Sequence, residues 1–120
     1  MVSGDIVKLK SGGPDMLVLQ ISEDVASCAW LDGEYYLTSD FSILLLSSVA
    51  SFDSATFEAP TIGDTVVSSL SNVPMVYGRE VTEGPYTGFA ECIYFNKVGD
   101  IFKDRALAYL SKECLKKVSV

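Results

Sequence analysis

Four short blocks of this chain occur twice, in the same order. That duplication constrains the fold more than any other feature, because a repeated sequence asks for a repeated structural unit. Gly4-Asp5-Ile6-Val7 recurs as Gly63-Asp64-Thr65-Val66, and Gly13-Pro14-Asp15-Met16-Leu17-Val18 has a shortened echo in Val73-Pro74-Met75-Val76. Ser27-Cys28-Ala29-Trp30-Leu31 matches Glu91-Cys92-Ile93-Tyr94-Phe95, and Tyr36-Leu37-Thr38-Ser39-Asp40 matches Tyr109-Leu110-Ser111-Lys112-Glu113. The offset grows from 59 to 64 to 73, which places two insertions in the second copy, near residues 80–88 and 96–106.

Within each copy the pattern is that of strands. Residues 5–11 alternate, with Ile6, Lys8 and Lys10 on one face and Val7 and Leu9 on the other, the period of a half-buried strand. Ser11-Gly12-Gly13-Pro14-Asp15 has turn composition, and residues 16–21 form a second, apolar strand. Glu23-Asp24 breaks it, residues 26–31 form a third strand, and Asp32-Gly33 is a hairpin dipeptide of the type I′ kind. A fourth strand at 34–37, a helical turn at Thr38-Ser39-Asp40 and a fifth strand at 43–46 complete the unit. The second copy repeats this order at 64–70, 75–80, 89–95, 101–110 and 115–118. Residues 104–117 contain good helix formers, but the repeat argues for strand, turn and strand there.

Five short strands in so few residues, with a tight turn before the last, describe a small SH3-like barrel. The expected fold is therefore all-β: two tandem five-stranded SH3-like barrels packed as one unit, at 1–46 and 61–120, joined by a linker at 47–60. That linker is rich in Ser and Ala yet carries Phe52 and Phe57, which a flexible tether does not need; both rings are expected to be packed down. One barrel of this size is marginal alone, and two gain by sharing an apolar seam.

Composition narrows the function classes. Hydrophobic residues at 48% and charged residues at 21% are globular values. The net charge is −7, all of it in residues 1–59, which carry Lys8 and Lys10 against nine acidic residues; residues 60–120 carry seven of each sign. Such a balance disfavours nucleic acid or an anionic membrane as the main partner. The chain has no His, and its three cysteines, Cys28, Cys92 and Cys114, lack the spacing of a zinc site or a disulfide framework. Met1-Val2-Ser3-Gly4-Asp5 has neither a basic region nor an apolar core, and the longest apolar run, Ile43-Leu44-Leu45-Leu46, is too short to span a bilayer. The expected compartment is the cytoplasm.

The first copy also resembles a known family. Gly4-Asp5-Ile6-Val7-Lys8-Leu9-Lys10-Ser11-Gly12-Gly13-Pro14-Asp15-Met16, followed by Cys28-Ala29-Trp30-Leu31, is similar to the pattern G-D-x-V-x-L-K-S-G-G-P-x-M-T-V, then C-x-W-F, of the YodC-like family of small uncharacterised bacterial proteins. The resemblance covers about residues 3–46 and departs at Leu17, usually Thr, and Leu31, usually Phe. It implies a small SH3-like barrel and no particular activity. It does not imply a second copy.

No constellation of catalytic residues stands out. Gly12-Gly13-Pro14 is followed by a strand and by Asp15, which suits a β-turn better than a phosphate cradle. Glu23-Asp24 and the Asp32/Glu34 pair lie at turns, where carboxylates are solvated. Parity turns Cys28 and Trp30, and Cys92 and Tyr94, inward; the other reading of Trp30, with Tyr35 and Tyr36, is an aromatic platform. Inward Trp30 leaves Ala29 and Leu31, with Ile93 and Phe95, as a second apolar face that needs cover. Lys103, Arg105, Lys112, Lys116 and Lys117 form the one basic cluster.

The leading expectation is a non-enzymatic protein-interaction module without cofactor or metal. Its candidate surface is drawn from Asp15, Glu23, Asp24, Asp32, Glu34, Tyr35, Lys112, Lys116 and Lys117. Two alternatives stay open: an acidic inhibitor, phage- or mobile-element-encoded, that blocks a basic nucleic-acid-binding protein by charge mimicry, and a nucleic-acid binder using the C-terminal basic cluster.

Overall fold

The computed structural model describes residues 1–118; the last two positions of the second unit expected at 61–120 lie outside the described residues. The first half contains β1 (Ile6–Leu9), β2 (Met16–Ser22), β3 (Val25–Asp32), β4 (Tyr35–Ser42) and β5 (Leu46–Ala50). The second contains β6 (Thr65–Ser68), β7 (Met75–Glu80), β8 (Ala90–Val98), β9 (Ile101–Leu110) and β10 (Leu115–Lys117). A three-residue 3-10 turn precedes the last strand of each half, at Ile43–Leu45 and Lys112–Cys114. Residues 104–117 are thus strand, turn and strand, as the repeat required.

The strands form two five-stranded antiparallel sheets of identical connectivity, β4-β3-β2-β1-β5 and β9-β8-β7-β6-β10. In each, four strands run as a meander and the fifth returns to the free side of the first. Among the described residues neither sheet closes into a hydrogen-bonded barrel, because the fourth and fifth strands stay at opposite edges.

The halves agree in detail. Gly4 and Gly63 take φ of +95° and +96°, and the N–H of each donates to the carbonyl of the residue at which its neighbouring strand bulges, Val18 and Tyr77, at 2.8 Å in both. The Asp that follows each glycine accepts from a backbone N–H three residues earlier, Val2 at 2.9 Å and Thr61 at 2.8 Å. Val7, Met16, Val18, Cys28 and Leu46 are buried, and so are their counterparts Val66, Met75, Tyr77, Cys92 and Leu115.

Register corrects four expectations. Pairing of Cys28 with Ser39 and of Cys92 with Ala108 makes Asp40, not Tyr36, the counterpart of Tyr109. The final offset is therefore 69, not 73, which makes the two insertions equal at five residues each. Thr38, Ser39 and Asp40 lie inside β4 and form no helical turn. As an edge strand β4 tolerates polar residues, and the turn falls where Ser42 can cap it by accepting from the Leu44 N–H. The fifth strand is accordingly Leu46–Ala50 instead of 43–46. Finally, the β3–β4 loop is Gly33-Glu34 with positive φ at Gly33 alone, as in a type II′ turn.

The halves interlock through unlike faces. On β2, Met16 and Val18 point into the first sheet's own core, with Val7, Ala26, Cys28 and Leu46. Leu17 and Leu19, with Ala29 of β3, point the other way and are buried in the core of the second half, against Met75, Tyr77 and Cys92. Tyr36 donates to Ser68 Oγ at 2.7 Å, Tyr94 to the Glu34 carbonyl at 2.6 Å, and the Cys114 thiol to the Val18 carbonyl at 3.4 Å. The outer face of the first sheet thus fills the inner face of the second.

The linker is partly packed. Phe52 and Phe57 are half-buried in edge-to-face contact, 5.1 Å between centroids, and the Phe52 N–H donates to Asp5 Oδ1 at 2.7 Å. A Cβ on Gly4 would lie 2.7 Å from Phe52 Cδ1, whereas one on Gly63 would meet nothing within 4 Å.

Two outcomes follow from this packing. Leu19→Ala should cost about 2–5 kcal/mol and lower the melting of both halves in one transition; a calorimetric scan with two resolved transitions would contradict the interlock. Gly63→Ala should cost about 1–3 kcal/mol, for backbone strain alone. Gly4→Ala should cost more, because it also displaces Phe52. Equal melting temperatures for the two variants would show that the linker ring is not held against Gly4.

Candidate interaction surface

The second half presents its own outer face to solvent. Val76 on β7, Ile93 on β8 and Leu107 on β9 form a cross-strand row, and Phe95 lies one step along β8 opposite Arg105. A bulge between Phe95 and Lys97 brings Lys97 opposite Phe102. The Phe95 and Phe102 rings stand 6.1 Å apart, and Lys97 Nζ lies 5.4 Å from the Phe102 centroid, a cation–π arrangement. Phe95 is 57% exposed, Phe102 66% and Val76 45%. Val73, Pro74, Val76, Ile93, Phe95 and Phe102 line an open, predominantly apolar trough of about 790 Å³.

The expected second apolar face therefore divides. Ala29 is covered by the second half, while Ile93 and Phe95 are only half-buried or exposed. Phe102 and Leu107 were absent from the sequence-derived surface. A signal for Phe102 was available: Ile101 and Phe102 adjoin the Gly99-Asp100 turn, where a hairpin tip exposed to water is ordinarily polar.

The acidic candidates do not gather on one surface. Asp15 and Asp32 are exposed at one end of the first sheet, and Glu23 and Asp24 at the other, because successive connections of a meander alternate ends. Glu34 and Tyr35 are engaged within the chain. Glu34 Oε2 accepts from the Lys97 N–H at 3.0 Å, and the Tyr35 hydroxyl donates to Asp104 Oδ2 at 3.0 Å.

The basic cluster also comes apart. Lys103 and Arg105 lie on β9, Lys116 and Lys117 on β10, and these strands occupy opposite edges of the second sheet. Lys112 pairs with Glu80 at 2.6 Å, and Lys117 lies 3.6 Å from Glu58 and 3.7 Å from Asp64. Lys116 is exposed beside the linker groove that Phe52 and Phe57 line. Trp30 is half-buried against Phe41 on the first core, while Tyr36 is on the opposite face of the sheet, so the two share no platform.

Chemistry at the cysteines is suppressed. All three are free and buried. Burial pushes the Cys28 thiol up to about 11, helped by the charge of Asp40, and pushes Cys92 and Cys114 up to about 12. Tyr94 is raised to about 12 by the same cause. Among the described residues no group of three or more His, Cys, Asp or Glu is placed to hold a metal ion, and no helix is long and apolar enough to cross a membrane.

Residues 2–42 match the family model of an uncharacterized small protein, DUF2158. The match spans β1 to β4 and ends at the last residue of β4, so it covers most of the first sheet and none of the second. No curated protein and no solved structure matches the chain. The match agrees with the resemblance of residues 3–46 to a small uncharacterised family, and the family's description assigns no activity.

The thiols give a pH prediction. An ordinary cysteine titrates near 9.0, and these three stay protonated in the fold to about 11–12. Above pH 9 the unfolded chain therefore binds fewer protons than the folded one. Their contribution to stability is fully present below about pH 9 and is lost as pH rises through about 11–12. Denaturant titrations should show a midpoint falling over that window, with no native labelling by a thiol reagent at neutral pH. Rapid neutral labelling of Cys28 and Cys92 would mean that the cores are open.

Proposed function

We propose that the chain is a non-enzymatic protein-interaction module in which the first half serves as the support and the second presents the binding face. One observation carries this reading. The apolar face of the first sheet is buried, while the equivalent face of the second offers Val76, Ile93, Phe95, Phe102 and Leu107 to solvent. An exposed apolar cluster rimmed by Lys97 and Arg105 has the composition of an interaction site: aromatic anchors at the centre and charge at the edge. Charge mimicry of nucleic acid would require carboxylates aligned on one side. Here Asp15 and Asp32 are separated from Glu23 and Asp24 by the length of the sheet.

We further infer that the second half is a diverged copy of the first, a YodC-like module duplicated in one cytoplasmic chain. The shared connectivity, the paired glycines with their Asp-capped turns, the matching bulges and the five equivalent core positions support this. Duplication relieved the second copy of specifying a complete core alone, because the first supplies Leu17 and Leu19 to it.

The test is a comparative pull-down from the source cell, using the intact chain and a Phe95→Glu/Phe102→Glu form as baits. A partner retained by the first through moderate salt and lost by the second is the expected outcome, since apolar contacts are not screened by ions. Identical recoveries from the two baits would remove the second sheet's outer face as the binding surface.

A further inference from the structure

The contact between the halves is heterologous: the outer face of the first sheet meets the inner face of the second. Two equivalent units joined in this way leave the second outer face free and the first inner face without a partner unit, its centre at Val7, Met16, Val18 and Cys28 filled by its own side chains and its rim exposed. Leu17 on the first outer face is 0% exposed, while its counterpart Val76 on the second is 45% exposed. On the inner faces the order reverses. Tyr94 is 5% exposed and Ala106 7%, whereas their counterparts in the first half, Trp30 and Leu37, are half-buried and 42% exposed. The 3-10 turns repeat the contrast. Cys114 is buried and donates to Val18 of the first half, while its counterpart Leu45 is 52% exposed and the neighbouring Leu44 is 74% exposed.

We infer that the protein self-associates head to tail, the outer face of the second sheet in one molecule meeting the exposed rim of the first sheet's inner face in another, the counterpart of the contact made within the chain. This rests on the interaction-module reading and names the partner as a second copy. Continuity with the internal contact argues for that occupant: the free outer face and the exposed rim at Leu37, Leu44 and Leu45 are the counterparts of surfaces already buried between the two halves. Leu44 and Leu45, too apolar for a solvated turn, occupy the place from which Cys114 reaches the first half. A heterologous contact either closes into a ring or continues as a filament, so assembly should rise with concentration.

Sedimentation or light scattering across low micromolar to millimolar protein tests this with two double variants at exposed positions. Phe95→Glu/Leu107→Glu removes the free outer face, and Leu37→Glu/Leu44→Glu removes the exposed rim of the inner face. The unmodified chain should rise above its 13.0 kDa monomer mass, and each variant alone should remain at that mass. An equimolar mixture of the two should reach twice the monomer mass and stop, because one sound face of each kind survives. Thermal transitions confirm that the variants are folded, and Val76→Lys replaces the first pair if it is not.

An unmodified chain that is monomeric throughout overturns the inference. So does a mixture that fails to pair, which would mark a symmetric dimer. The parent reading fails separately. A strict monomer whose Phe95→Glu/Phe102→Glu form still loses a different protein leaves the module intact and removes only self-association, and a strict monomer with no such loss removes both.

Discussion

Everything in this structure depends on Leu17, Leu19 and Ala29 leaving the sheet to which they belong and entering the core of the other half. An isolated five-stranded sheet of about fifty residues has two apolar faces and can cover only one by bending over itself. Here the first sheet bends over Val7, Met16, Val18 and Cys28, and its remaining face becomes the lid of the second sheet. β2 is therefore buried on both sides from Met16 to Leu19, which explains four consecutive apolar residues in an antiparallel strand where alternation would be expected. The same contact removes the need for the second sheet to close, since its core is sealed by a neighbour instead of by its own edges.

This asymmetry leaves the two halves with different exposed surfaces. The second half has buried polar neighbours at its seam, with Ser68 accepting from Tyr36 and the Glu34 carbonyl accepting from Tyr94, so its inner face is no longer available. Its outer face is free. In the first half the outer face is occupied and the inner face is filled by its own side chains, with Leu37 and Leu44 exposed at the rim. A chain made of two like units is thereby polar along the direction in which they stack. The thiols of Cys28, Cys92 and Cys114 are buried in the same two cores, and that burial holds them protonated well above the usual range.

The charge distribution shows how far surface reasoning reaches. That the acidic excess falls in residues 1–59 is a property of composition, and no fold can change it. Whether the charges cooperate depends on which end of a sheet each turn occupies. Glu23 and Asp24 are one connection away from Asp32 in sequence and a sheet-length away in space. Lys103 and Lys116 lie on consecutive strands of the chain, yet the fifth strand returns to the first and puts them at opposite edges. Contiguity in sequence misleads most at such returns.

Much was nonetheless legible in the residues themselves. Period-two alternation, Gly4 and Gly63 at matching turns, and the Cys-x-aromatic pair at 28–30 and 92–94 are local signals. They specified strands, their order and the existence of two units, because backbone sterics and side-chain alternation act over a few residues. The inward parity of Cys28 and Cys92 came from the same source. The register of the last block was beyond such signals, since Tyr36-Leu37 resembles Tyr109-Leu110 while the pairing of β4 with β3 equates Asp40 with Tyr109. Which apolar face would be covered was also open. Ala29 and Ile93 are equivalent in the repeat, and only the docking of one half on the other buries the first and leaves the second half-exposed. Burial of a face is a property of two surfaces meeting, and a strand's own sequence describes only one of them.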